Sequence, residues 1–378
     1  MEYKKLGDIA TYINGYAFKP EQRGSEGLPI IRIQDLTGNA YDLGYYNGDY
    51  PKKVELNDGD VLISWSASLG VYLWNRGKAL LNQHIFKVVF DKVEIDKFYF
   101  MYAVEYNLDK MSLKTHGATM KHITKKDFDN VVIPYPDLDY QKEVAYRLTS
   151  LKGIIENYKK QLDLLDELVK ARFMEMFGDP VLNEKSWRVI KLGKLCSKIC
   201  SGNTPKGGSD NYTKEGIMFF RSQNVWKNRL ELDDIVYIDE ATHEKMKETS
   251  LNYGDILITK TGRINTENSS LGRSALFLGK NDSANINGHV YLVRINSELV
   301  NRHFVLQILI SPQYRDLIRR VCVGGIDKRQ LNQNHIYDFP IIIPPLELQN
   351  QFASFVEEID KSRLLSNHSL FLIKSLIF

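Results

Sequence analysis

The chain writes one sequence plan twice, and internal repetition at this length calls for two units of one fold, not a single larger core. KLGDIATYINGYAFKP at 5–20 is answered by KLGKLCSKICSGNTPK at 191–206, and IPYPDLDYQ at 133–141 by IIIPPLELQ at 341–349. Between these ends, Arg32, Gln34, Asp35 and Leu36 correspond to Arg221, Gln223, Asn224 and Val225. Gly59-Asp60-Val61-Leu62-Ile63-Ser64 corresponds to Gly254-Asp255-Ile256-Leu257-Ile258-Thr259, and Asn82 and His84 to Asn287 and His289. The offset climbs from 186 (191 − 5) through 189 (221 − 32), 195 (254 − 59) and 205 (287 − 82) to 208 (341 − 133). The second copy has therefore gained loop residues, mostly between Thr259 and Asn287. Loop growth on a shared scaffold points to one fold carrying two different surfaces.

A heptad stretch follows each copy. Val144, Leu148, Leu151, Ile155, Tyr158, Leu162, Leu165, Val169 and Met176 fall at steps of three and four, broken only by Arg172, and predict a long coiled-coil helix over 138–178. Gly178, Asp179 and Pro180 stop it, since glycine suits the residue past a helix end and proline cannot continue the ladder. Subtracting the final offset predicts a second helix over 346–378, with seam positions Phe352, Val356, Ile359, Arg363, Ser366, Leu370, Ile373 and Ile377. Phe378 is the counterpart of Lys170, so nothing in the second helix is expected to match ARFMEMFG. If the two seams pair, the helices must run antiparallel. The organisation predicted is a domain at 1–137, a helix at 138–178, a domain at 179–345 and a helix at 346–378. Within the first domain, LPIIRI (28–33), GDVLIS (59–64), GVYLW (70–74) and IFKVVF (85–90) read as strands and Ile95–Met111 as a helix. That order is α+β, two similar domains separated by an antiparallel coiled coil of two long helices.

Chemistry is conspicuous by its absence. No G-x-x-x-x-G-K-[ST] loop or strand-borne G-x-G-x-x-G is present. His243-Glu244 opens a zinc-protease motif, but Lys247 stands where the second histidine is needed. Asp179-Pro180 is followed by Val181 and Leu182, so helix termination explains it better than a methyltransferase D-P-P-Y signature. Cys196, Cys200 and Cys322 form neither a disulfide framework nor a zinc site, and no metal ligands or catalytic residues are assigned. The first residues lack an apolar signal core and no run approaches the ~18 apolar residues of a membrane span, so a soluble cytoplasmic protein is expected. The net charge of +3 is concentrated in residues 179–346, where 23 basic residues face 18 acidic ones. This permits a nucleic-acid partner without demanding one.

Side chains suited to groove reading stand at loop starts. Arg32, Gln34, Arg221, Gln223 and Asn224 follow apolar runs and belong to the types that make bidentate contacts to guanine and adenine; the alternative is a salt bridge and a turn cap. Lys114, Lys121, His122, Lys125 and Lys126 cluster around one glycine turn, and Arg315, Arg319, Arg320, Lys328 and Arg329 around another, as phosphate contacts require. The inserted stretch TKTGRINTENSSLGRSA adds Lys260, Arg263 and Arg273, either to track a groove or as a solvated loop. Trp65, Trp74 and Trp226 read as core or rim.

The two-copy order, the KLG opening, the R-x-Q-[DN] turn, the GD-[VI]-LI strand, the N-x-H position and the I-P-x-P-x-L-x-x-Q entry into a long helix together resemble the specificity subunit of type I restriction-modification systems. The resemblance spans the whole chain. It implies two target recognition domains, each reading half of a split site in double-stranded DNA, and paired helices that fix the gap and dock two modification subunits. Restriction subunits would join that core. S-adenosylmethionine, ATP and magnesium would belong to those partners, and this chain would hold no cofactor. A stand-alone coiled-coil scaffold, or a diverged methyltransferase or nuclease, is the alternative.

Overall fold

Both copies of the repeat build the same sheets from corresponding strands. In the computed structural model, which describes residues 2–39, 42–114, 124–264, 268–325 and 328–377, the chain divides into two compact units, Met1–Asn157 with Ile373–Phe378, and Tyr158–Leu372. In the first, Thr11–Asn14, Ile85–Val89, Val61–Ser64 and Gly70–Leu73 lie side by side in that order, each antiparallel to its neighbour. A second sheet runs Gly44–Tyr46, Leu28–Ile31, Ala79–Leu81, Glu55–Leu56, and its two central strands are parallel. The second unit repeats the first sheet as Cys196–Ser201, Val290–Ile295, Ile256–Thr259 and Ser274–Leu276. It repeats the other as Val236–Ile238, Ile217–Phe220 and Ala284–Ile286, again with a parallel pair. With the helices Lys97–Lys114 and Arg302–Ile310 the class is α+β. The expected strand 28–33 ends at Ile31, because Arg32 turns to cap the short helix Ile33–Thr37.

The GD-[VI]-LI run becomes a strand buried on both faces, and period-two alternation divides it between two cores. Val61 and Ile63 pack with Ile9, Phe86, Phe100 and Phe128, while Leu62 packs with Trp74, Leu81 and Ile85. Ile256 and Ile258 separate from Leu257 in the same way. The preceding Gly-Asp pair makes the turn. Gly59 and Gly254 adopt φ of +93° and +89°, which a side chain would oppose. Asp60 Oδ2 accepts the Asn57 N–H at 2.8 Å and Asp255 Oδ2 that of Asn252 at 2.7 Å. Each carboxylate also meets a cation on the neighbouring strand, though at positions two residues apart once the copies are aligned: Lys87 at 2.7 Å and Arg294 at 2.8 Å.

The long helices span Leu138–Phe177 and Leu346–Ile377. Each begins on a buried glutamine. Gln141 accepts the Asp96 N–H at 2.9 Å and donates to the Pro136 carbonyl at 2.8 Å; Gln349 accepts from Asn301 N–H at 2.9 Å and donates to the Pro344 carbonyl at 2.8 Å. Along the first helix Val144, Leu148, Leu151, Ile155, Tyr158, Leu162 and Leu165 are half-buried and Val169 is buried. On the second, Phe352, Val356, Ile359 and Ser366 are buried, and Leu370 and Ile373 half-buried.

Within the second unit the helices pair antiparallel. Phe173 and Phe177 lie 5.5 and 5.7 Å from the Phe352 ring, while earlier on the first helix Asp166 meets Arg363, further along the second, at 2.5 Å. Arg363 thus fills the polar middle of its seam with an ion pair. The heptad spacing misplaces the end of the first seam: after Val169 the buried positions are Phe173 and Phe177, not Met176, and Arg172 is exposed and paired with Glu175 at 2.7 Å. The physical reason is a change of partner. Two four-residue steps rotate the face toward Phe304, whose ring is 5.6 Å from Phe173 and 4.8 Å from Phe177, so the last turns pack on the globular part of the unit. Gly178, at φ +76°, then ends the helix, and Asp179 Oδ1 accepts the N–H groups of Val181 at 2.7 Å and Leu182 at 2.9 Å.

Phe352 is fully buried among these rings. Phe352→Ala should cost about 3–5 kcal/mol of stability, read as a lowered urea midpoint. A loss below ~1 kcal/mol would mean that this aromatic junction does not hold the helices to the second unit.

Candidate nucleic-acid interface

Parallel pairing places two recurring motifs together in each unit. R-x-Q follows the strand Leu28–Ile31 and N-x-H follows its parallel neighbour Ala79–Leu81; in the second unit they follow Ile217–Phe220 and Ala284–Ile286. Asn82 N–H donates to the Ile31 carbonyl at 3.1 Å, and Asn287 N–H to the Phe220 carbonyl at 2.9 Å. Both motifs therefore start from one sheet end.

The R-x-Q-[DN] turn is chiefly a construction element. Arg32 caps its short helix, and Asp35 Oδ2 accepts both the Arg32 backbone N–H at 2.8 Å and its Nε at 3.1 Å. Arg32 Nη2 also donates to the Asp42 carbonyl. The hydrogen bond to Asp35 is the main cause that raises the Arg32 pKa. In the second unit, Asn224 Oδ1 accepts the Arg221 N–H at 2.9 Å, and Arg221 reaches the Asp234 carboxylate at 2.9 Å. Asn224 is buried and donates to the Glu231 carbonyl at 3.1 Å, which corrects its expected place as a base contact: its amide is committed inside the turn. Gln34 is exposed. Gln223 is exposed too, and its Nε2 donates to Asp234 at 2.6 Å, the leading cause of that carboxyl's lowered pKa, followed by Arg221.

Among the basic residues, Lys125 is exposed and paired with Asp129 at 2.7 Å, and Lys126 is exposed. Lys114 closes the helix Lys97–Lys114, while Lys121 and His122 lie outside the described residues. The inserted stretch of the second unit does not hang free. Thr261–Gly262 pairs with Arg329–Gln330, which pairs with Val323–Gly324. This small sheet brings Arg263 and Lys328, both exposed, to one depression of about 380 Å³ that Thr261, Asn268, Ser269 and Ser270 also line. Arg329 is half-buried and donates to the Cys322 carbonyl at 3.2 Å. Lys260 donates to Ser201 Oγ at 3.2 Å and the Gly288 carbonyl at 3.3 Å, with its Nζ 4.9 Å from the Tyr291 ring centre.

Arg273 corrects a second expectation. It is buried, donates to the carbonyls of Ser269 and Asn268, and stacks its guanidinium 3.9 Å from the Trp226 ring centre. Burial lowers its pKa, and it serves as the tether of the inserted loop. Arg315 is buried likewise, donating to the Leu271 carbonyl, and desolvation brings its pKa down to about 10. Arg319 pairs with Asp316 at 2.8 Å and Arg320 is exposed. Sequence spacing cannot separate tethers from surface cations, because the burying partners, Trp226 and the 268–271 backbone, are distant or irregular in sequence. The N-x-H turns were visible as a repeat, but only strand pairing sets them beside R-x-Q.

No helix among the described residues is long and apolar enough to cross a membrane. The family described as type I restriction modification DNA specificity domain matches residues 1–166 and 184–373. The type I restriction enzyme EcoBI specificity subunit of Escherichia coli is 22% identical, over 94% of this chain and 78% of that protein. The MjaVIII specificity subunit of Methanocaldococcus jannaschii is 22% identical, over 95% of this chain and 86% of that protein. In fold the chain is similar to the S subunit of a type I restriction-modification system from M. genitalium, with a TM-score of 0.61, 14% identity, and coverage of 99% of this chain and 93% of that one. It is also similar to a chain from a study of assembly and conformational transition of the type I system, with a TM-score of 0.51, 16% identity, and coverage of 99% and 95%. With both copies of the repeat matched, the chain belongs to the type I restriction-modification specificity family, the non-catalytic, DNA-recognising part of those systems.

Proposed function

We propose that this chain gives a type I restriction-modification complex its sequence specificity, each globular domain (1–137 and 179–345) reading one half of a bipartite site in duplex DNA. The helices at 138–178 and 346–378 act as the ruler between halves and as the dock for two modification subunits, with restriction subunits joining that core in the cytoplasm. S-adenosylmethionine and ATP with magnesium act on the partners. The observation that carries the reading is one scaffold built twice with different loops, each copy leading into a long helix. Docking is supported by apolar side chains that the helices leave in solvent, among them Tyr146, Leu164, Leu364, Leu365 and Phe371.

For DNA contact we assign Gln34, Gln223, Lys125, Lys260, Arg263, Lys328 and Arg329, together with Lys114, Lys121 and His122. Arg32, Arg221, Asn224 and Arg273 act through the loops they hold. Replacing Arg263 and Lys328 by glutamine should weaken binding of all sequences alike and flatten the salt dependence by about 0.9 in log–log slope per lost phosphate contact. Sequence-selective loss with an unchanged slope, measured by titration of the assembled complex at several salt concentrations, would contradict a backbone role.

The ruler is tested by one added heptad after Lys160 and another after His368, which preserve the seam. Seven residues at ~1.5 Å add roughly 10 Å, about three base pairs at ~3.4 Å each. The lengthened protein, assembled with its modification subunits, should methylate a site with both half-sequences kept and the gap changed. An active complex with an unchanged gap would refute the ruler.

A further inference from the structure

The N-x-H turn recurs in both units with its backbone fixed by the fold, while its imidazoles differ in surroundings: the His84 ring packs edge-on against Trp65, 5.1 Å between centres, and His289 is exposed. In each copy the histidine carbonyl accepts an N–H from the first residue beyond the doubly buried strand: Trp65 to His84 at 3.3 Å, Lys260 to His289 at 2.9 Å. A third loop closes on the same turn. Gly15 N–H donates to the Ile85 carbonyl at 3.1 Å and Gly202 N–H to the Val290 carbonyl at 2.9 Å. A Cβ on Gly15 would fall 1.9 Å from the Asn82 carbonyl oxygen, and one on Gly202 2.2 Å from that of Asn287, so glycine is required where the loops meet. Four chain segments thus converge at one sheet end, sharing these backbone bonds, while the side chains they carry differ. Tyr16, Trp65 and Gln83 in the first unit stand where Asn203, Lys260 and Gly288 stand in the second.

In the first unit two buried polar atoms of this turn have no hydrogen-bond partner among the described residues. His84 holds φ +72°, a left-handed conformation disfavoured for a side-chain-bearing residue, and its buried Nδ1 has no hydrogen-bond partner among the described residues. Asn82 is 8% exposed, and its Oδ1 also lacks a partner there. In the second unit Asn287 Oδ1 accepts the His289 N–H at 3.0 Å, and His289 is exposed.

We propose that the N-x-H turns are base-contacting elements, His84 in the first unit and His289 in the second each presenting an imidazole to a base edge of duplex DNA, with the R-x-Q turns as their braces. A neutral imidazole offers one donor, suited to guanine O6 or a purine N7, and one acceptor, suited to an adenine or cytosine amino group, and the nitrogen that faces the groove sets which is read. This rests on the reading of the chain as a DNA-specificity subunit.

The test uses the complex assembled with modification subunits, carrying His289→Ala or His84→Ala, with His84→Asn as the companion variant because asparagine tolerates left-handed backbone. Methylated-base sequencing and duplex titrations are the readouts. His289→Ala should relax one base position in one half-site and weaken specific binding by about 5- to 100-fold, leaving non-specific binding and its salt slope unchanged. The His84 variants should do the same in the other half. An unaltered motif, or equal weakening of all sequences with a shallower salt slope, overturns the proposal, the latter making the histidines phosphate contacts. If the unmodified complex selects no site at all, the specificity-subunit reading itself fails; a site-selective complex indifferent to the histidines removes only this inference.

Discussion

The directions in which the long helices leave their units are set by one buried amide apiece. Gln141 and Gln349 are almost wholly shielded from solvent, where a primary amide is tolerated only if both its ends are bonded. Each is satisfied twice: its oxygen takes the N–H of the residue just before the helix Lys97–Lys114 or Arg302–Ile310, and its nitrogen gives to a proline carbonyl at the entry to the long helix. Leaving one such group unpaired costs about 1–3 kcal/mol, so the first turn of each long helix is locked to a fixed point on its own unit. The first helix then leans on Lys97–Lys114 through the Tyr102 and Thr149 hydroxyls, 2.9 Å apart, and a Lys152–Glu105 pair at 2.6 Å. These outer contacts are exposed and contribute little by comparison.

Much of this was legible because it follows short-range rules. The doubly buried strand is announced by an unbroken apolar run, the long helices by their heptads, and the duplication by plain correspondence of residues. The parallel strand pair was not legible: Leu28–Ile31 and Ala79–Leu81 are far apart in sequence, and only tertiary packing chooses their direction. The turn of the first seam toward Phe304 was hidden for the same reason. Period alone cannot announce that a helix changes partner near its end.

The basic residues show why repetition and composition mislead about sites. R-x-Q-[DN] recurs because Asp35 and Asn224 each close the same turn on an arginine N–H, a requirement of the fold. Arg273 and Arg315 sit in arginine-rich stretches yet are consumed as donors to backbone carbonyls of the inserted loop. That loop is consequently a built surface, paired into a small sheet, and it gives the second unit a cationic depression where the first has only the short connection between Ser64 and Gly70. The excess of positive charge in residues 179–346 belongs to the unit that carries this depression.

The central claim is that one scaffold, written twice, reads two separate half-sites. It is tested most directly by mapping methylated adenines on DNA exposed to the complex of this chain with its modification subunits. The account predicts one bipartite motif, two short defined sequences flanking a gap of fixed length and unspecified bases. Methylation at a single uninterrupted sequence, or at adenines with no shared motif, would contradict it.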